Sequence, residues 1–204
     1  MNDPKELKLQ LLNDYQVKLG LSDLELGQVM CCPASYDTEY HKNAYYRKYI
    51  KQKKGEYKGR GPSVTKSNLI LLDLLYQLNS KGYSVSDIKP DFESGEIDAK
   101  SWAGDAQPVI EALKSRDHDP LLPGPNIIFS ACRKHCGLSM ESMASIFFEY
   151  ADKKDSIKRI RKIELPTIAK SIKKIDAYLC HIIAFAYDNG IDVEAIEVKI
   201  AGQI

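Results

Sequence analysis

The chain repeats itself. Leu19-Gly20-Leu21-Ser22 is echoed by Cys136-Gly137-Leu138-Ser139, Pro62-Ser63-Val64-Thr65-Lys66-Ser67 by Pro166-Thr167-Ile168-Ala169-Lys170-Ser171, and Gly82-Tyr83-Ser84-Val85-Ser86-Asp87-Ile88 by Gly190-Ile191-Asp192-Val193-Glu194-Ala195-Ile196. The echoes fall in the same order at offsets of 117, 104 and 108, so only short insertions separate the copies. A duplicated unit of roughly 75 to 85 residues is domain-sized. The 204-residue chain is therefore read as copy one over residues 1–90, a linker over 91–126 and copy two over 127–204. The linker is acidic and holds Pro108, Pro120, Pro123 and Pro125, with one short helix expected around Val109 to Lys114.

Within each copy the apolar spacing is helical. Leu7, Leu11, Leu12, Tyr15 and Leu19, and again Ile128, Phe129, Cys132 and Cys136, outline an opening helix ended by Gly20 or Gly137. Ser22 with Glu25 forms a capping box, and Ser139 is an N-cap without the reciprocal acid. The next, short helix points Leu26 and Val29, or Met143 and Ile146, inward. Five residues after each cap stands a small residue, Gly27 or Ala144, where helices can approach closely. A basic segment follows, with Ile157, Ile160 and Ile163 on one face in copy two. A Pro-led apolar helix then supplies Leu69 to Leu78 in copy one, and Ile172, Ile175, Leu179, Ile182, Ile183 and Phe185 in copy two. Strand signals are weak throughout, so the expected fold class is all-α, with two small helical bundles.

Charge is unevenly placed. The net charge is only +1, yet residues 41–66 carry nine cations against Glu56 alone, and residues 153–174 carry nine against Asp155 and Glu164. These blocks are worth +8 and +7, which leaves −14 on the rest of the chain. Two basic islands at matching places in a repeat are the electrostatic footprint of a phosphate-binding surface.

The order of these features resembles the Cro/lambda-repressor type of helix-turn-helix domain: a helix ending in Leu-Gly-Leu-Ser, a capped short helix with a small residue five places on, a turn, a basic helix, then a Pro and an apolar helix. The resemblance covers about residues 5–90 and, more loosely, 127–198. It implies a DNA-binding regulator whose third helix enters the major groove while the second crosses the backbone. Carried onto copy one, that helix supplies Lys42, Asn43, Tyr46, Arg47 and Lys51. Asn43, Arg47 and Lys51 share a face at spacings of four, where Asn suits adenine and Arg suits guanine. Lys53, Lys54, Lys58 and Arg60 are expected on phosphates, with Lys158, Arg159 and Lys162 as their counterparts in copy two.

Other chemistries fit less well. Cys132, His135, Cys136, Cys180 and His181 invite a zinc reading, but Cys136 aligns with Leu19 and Cys180 with Leu72, which are core positions. Asp91, Asp98 and Lys100 imitate a nuclease set without its strands, and no phosphate-cradling glycine motif is present. The five cysteines are expected to be reduced thiols. No run approaches a membrane span and the start is not a signal peptide, so a cytoplasmic protein with no cofactor and no enzymatic activity is expected. Double-stranded DNA is the expected partner. A homodimer through the apolar helix from Ala177 to Tyr187 is a further expectation. The alternative is a protein interaction module, of antitoxin or adaptor type, whose basic faces meet an acidic protein.

Overall fold

A computed structural model describes residues 4–31, 64–84, 125–149, 153–164 and 174–204. The linker lies outside them up to residue 124, and with it the helix expected around Val109 to Lys114. All regular structure among the described residues is helical, in keeping with the all-α expectation: α1 Pro4–Lys18, α2 Asp23–Cys31, α3 Lys66–Ser80, α4 Pro125–His135, α5 Met140–Phe147, α6 Lys153–Glu164, α7 Lys174–Asp188 and α8 Val193–Ala201. None of these helices is long and apolar enough to cross a membrane.

The local chemistry at the helix ends repeats between the copies. Gly20 ends α1 at φ 63°, its N–H donating to Val17 O at 3.1 Å while Leu21 N donates to Gln16 O at 3.0 Å. Gly137 ends α4 at φ 64°, with Gly137 N to Lys134 O at 3.2 Å and Leu138 N to Arg133 O at 2.9 Å. This is the paired hydrogen-bond pattern of a left-handed C-terminal cap, a backbone conformation that favours glycine. Gly82 after α3 and Gly190 after α7 close their helices by the same two bonds. The starts match too. The Ser22 hydroxyl accepts from Glu25 N at 3.2 Å and the Glu25 carboxylate accepts from Ser22 N at 2.8 Å, completing the expected capping box. Ser139 accepts from Ser142 N at 2.9 Å, and Ser142, standing where the acid would, pairs its hydroxyl with that of Ser139 at 2.8 Å. The apolar helices α3 and α7 are both 15 residues long and stand 108 positions apart end for end.

Packing joins the copies. Leu69, Ile70, Leu71, Leu72, Leu74, Leu75 and Leu78 each have 0% of their surface exposed, so α3 is buried on every face, as a helix apolar all round must be. Its neighbours are α1 from its own copy and α5, α7 and α8 from the other. Leu12 and Tyr15 of α1, Phe129 and Cys132 of α4, Met143 and Ile146 of α5, and Leu179, Ile182 and Ile183 of α7 belong to the same buried cluster. The interior is thus shared across the repeat. Burying each such side chain contributes about 1.5–3 kcal/mol, and three of the four helices named against α3 come from the other copy.

Candidate nucleic-acid interface

Helix α6 separates its residue types cleanly. Ser156, Ile160 and Ile163 are buried against the body, while Lys154, Asp155, Lys158, Arg159, Arg161 and Lys162 are exposed. Ile157, expected inward with Ile160 and Ile163, is only partly buried; Ser156 completes the inward face because positions 156, 160 and 163 follow the helical period more closely than a spacing of three. The outward face therefore presents five cations against the single acid Asp155. Of the residues expected on DNA, Lys158, Arg159 and Lys162 are brought together here. Lys42, Asn43, Tyr46, Arg47, Lys51, Lys53, Lys54, Lys58 and Arg60 lie outside the described residues.

The helix is seated mainly on α5 and α4. Ala144, the small residue five places after the Ser139 cap, is buried in α5. At the far end Glu164 accepts from both Nε and Nη2 of Arg133 on α4, at 2.7 and 2.9 Å. Both side chains are largely covered, and the hydrogen bonds to Glu164 hold the guanidinium above its ordinary pKa. This fork takes one of the two acids of α6 out of the outward field and ties the helix's last turn to α4. Midway along the helix, the Arg159 guanidinium lies 4.7 Å from the ring centroid of Phe148, which precedes α6. Lys158 meets Asp155 at 3.1 Å one turn away, in water, where such a pair holds little. Clustering cations on one face costs self-repulsion, which an anionic partner relieves.

A second polar region lies between the copies. A cleft of about 790 Å³ is lined by Lys8, Lys66, Ser142, Ser145, Phe148 and Glu149 among others. On its wall Lys66 Nζ meets Glu197 at 2.9 Å and Ser145 Oγ at 3.3 Å, and the Ser145 hydroxyl donates to Glu197 at 2.6 Å. Burial would raise the Glu197 carboxyl, but the hydrogen bonds from Ser145 and Lys66 and the charge of Lys66 prevail and hold it low. Lys66, Ser145 and Glu197 thus form a hydrogen-bonded ion-pair clamp that ties the start of α3 to α5 and α8.

The thiols sit in the core. Cys132 donates to Cys180 O at 3.4 Å, and Cys132, Cys136 and Cys180 are all free and buried. Burial pushes the Cys180 thiol up, and a hydrogen bond to Cys132 together with burial pushes up that of Cys136. His135 pairs with Asp188 at 2.6 Å. Among the described residues no group of three His, Cys, Asp or Glu side chains is placed to hold a metal ion. Sequence reasoning missed Arg133, Glu164 and Phe148 as the residues that seat α6, because each acts through a partner distant in sequence or in the turn before the helix. In comparisons with known proteins, no family model, no curated protein and no solved structure matches the chain.

Proposed function

We propose that the protein is a sequence-specific regulator that binds double-stranded DNA without catalysis, through two degenerate helix-turn-helix copies. The observation that carries this reading is α6: a helix seated by Ile160, Ile163 and the Arg133–Glu164 fork, with Lys154, Lys158, Arg159, Arg161 and Lys162 all facing out. A phosphate backbone is the anion whose charge density suits such a face, and long side chains with several donors also reach base edges. The basic block of residues 41–66 adds the sequence of copy one to the same reading.

The test is the salt dependence of binding to arbitrary duplex DNA, followed by selection of preferred duplexes from a random pool. If six cations meet phosphates, log affinity falls against log salt with a slope of about −5. Reversing the charges of Arg159 and Lys162 lowers both affinity and slope. A slope near zero, or unchanged affinity in a charge-reversed protein that still folds, overturns the reading. Retention of an acidic protein with no retention of DNA transfers the basic face to a protein partner.

A further inference from the structure

The equivalent helices of the two copies do more than resemble each other. Each opening helix packs on its own copy's apolar helix, α1 on α3 and α4 on α7. Across the repeat, α3 packs on α7, its own counterpart. Two further contacts exchange: the short helix α5 of copy two touches α3, and the short helix α2 of copy one touches α7; α3 also packs on α8, whose copy-one equivalent lies outside the described residues. A contact of one element with its own counterpart, flanked by contacts that survive exchange of the partners, is the pattern of an isologous, two-fold interface. Two identical subunits make it by symmetry. Here one chain makes it with itself.

The details at the junction agree. Tyr83, just past the cap of α3, donates from its hydroxyl to Asn189 Oδ1 at 2.9 Å and sets its ring edge-on to Phe185, 5.1 Å between centroids. The matching ends of α3 and α7 therefore meet. Three ion pairs cross the same boundary: Lys66 with Glu197 at 2.9 Å, Lys199 with Asp73 at 2.9 Å and Lys8 with Glu149 at 2.8 Å. They involve different residues on the two sides, so the two-fold pattern lies in which helices pair and not in the side chains that join them. Tyr178, Leu179, Ile182 and Ile183 of α7, the surface expected to serve a homodimer, are buried within the chain.

We infer that the two copies form an internal dimer, each being the partner of the other, so that one chain is the complete binding unit and the α3–α7 pairing face is occupied within it. Resting on the DNA reading, this assigns the target as a duplex bound one chain per site. Because the chain lacks true symmetry, that target is not a palindrome: identical half-sites are imposed on identical subunits, not on two unlike copies.

The pairing is tested without DNA. Unlabelled and heavy-nitrogen-labelled full chains are mixed in equal amounts, treated with a carbodiimide to join the Lys8 amine to the Glu149 carboxylate, and the joined peptides are analysed by mass. Joined peptides that are all light or all heavy, in a particle of 23.0 kDa, are expected. Mixed light–heavy peptides, a particle of twice that mass, or no Lys8–Glu149 product at all would overturn the internal dimer. Native mass measurement on the selected duplex then reads stoichiometry. One chain per duplex with no two-fold sequence is expected, and two chains on a palindrome overturns the single-chain target while leaving DNA binding standing. Absence of DNA binding in a protein whose cross-links stay within one chain overturns the target alone.

Discussion

Asp73 has none of its surface exposed, and Lys199 of the last helix closes on both of its carboxylate oxygens at 2.9 and 3.0 Å. The third contact to this carboxylate is the Tyr15 hydroxyl, donating at 2.9 Å. The two partners are not equivalent. The Lys199 side chain is 45% exposed while that of Asp73 is at 0%. Removing the lysine strands an ion in the core, whereas removing the carboxylate lets the ammonium return to water. Lys199→Met is therefore expected to cost about 3 kcal/mol, in the range for a broken buried pair, and Asp73→Asn less, since its amide oxygen still accepts from Tyr15. Urea unfolding of both variants decides it, and a larger loss from Asp73→Asn would show that the pair's energetics lie elsewhere.

Tyr15 couples the same cluster to pH. Burial and then the charge of Asp73 push its phenol well above the ordinary value of 10.0. Below about pH 10 the phenol is neutral in both states and its contribution is complete. As pH rises past that point the unfolded chain releases the proton and the folded chain keeps it, so stability falls by about 1.4 kcal/mol per pH unit. Tyr15→Phe is expected to be weaker at neutral pH, through loss of the hydrogen bond, and flatter than the wild type between pH 10 and 11. Parallel pH profiles for the two proteins would show that Tyr15 titrates freely.

What could be read beforehand divides along the range of the interaction. Gly20, Gly137, Ser22 and Ser139 were legible because caps are satisfied within four residues of themselves. The apolar run from Leu69 to Leu78 announced a buried helix, but its partners, α7 and α8, come from the other copy, and nothing local names them. Its all-round apolar character was the available signal that one copy alone does not cover it. Asp73 inside that run is a signal of its own, since an acid among leucines implies a partner reaching in. Ile160 and Ile163 stand out by their spacing, whereas Ser156 does not, because a small polar residue carries no weight in an apolar pattern. The Arg133–Glu164 fork spans 31 positions and leaves no periodic trace. The copy-one base-contact residues from Lys42 to Lys51 lie outside the described residues.

The four left-handed glycines give a test of the repeat's backbone. A Cβ built on Gly20, Gly82, Gly137 or Gly190 meets no atom within 4 Å, so an alanine there is opposed by its own backbone rather than by neighbours. Each Gly→Ala change is expected to cost about 1 kcal/mol, alike at all four sites, and each Gly→Asn change less, because Asn tolerates the left-handed region. Thermal or urea unfolding of the eight variants measures this. A cost at one site several times that at its counterpart would show that the caps are not equivalent.

The Arg133–Glu164 fork separates two ways in which α6 can matter to an anionic partner. Arg133→Ala and Glu164→Gln both cut the tie between α4 and the last turn of α6, and each is expected to lose roughly 1.5–3 kcal/mol, the range for hydrogen bonds to charged groups. Their electrostatic consequences are opposite. Without Arg133 the Glu164 charge, about 10% exposed in the native pair, returns to the basic helix as an uncompensated acid; without the carboxylate the helix gains net positive charge. Glu164 shares the last turn of α6 with Arg161 and Lys162, and charges are screened over about 8 Å at physiological salt. If binding is led by the field of Lys154, Lys158, Arg159, Arg161 and Lys162, Arg133→Ala lowers duplex affinity several-fold and Glu164→Gln leaves it level or raises it, although both proteins are similarly destabilised. Amide exchange across Arg161 to Glu164 confirms that the tie has loosened in each, and affinity at two salt concentrations reads the charge effect, which shrinks as salt rises. Equal losses of affinity in the two variants, unaltered by salt, would mean that α6 acts through its rigidity and that its cations do not lead the contact.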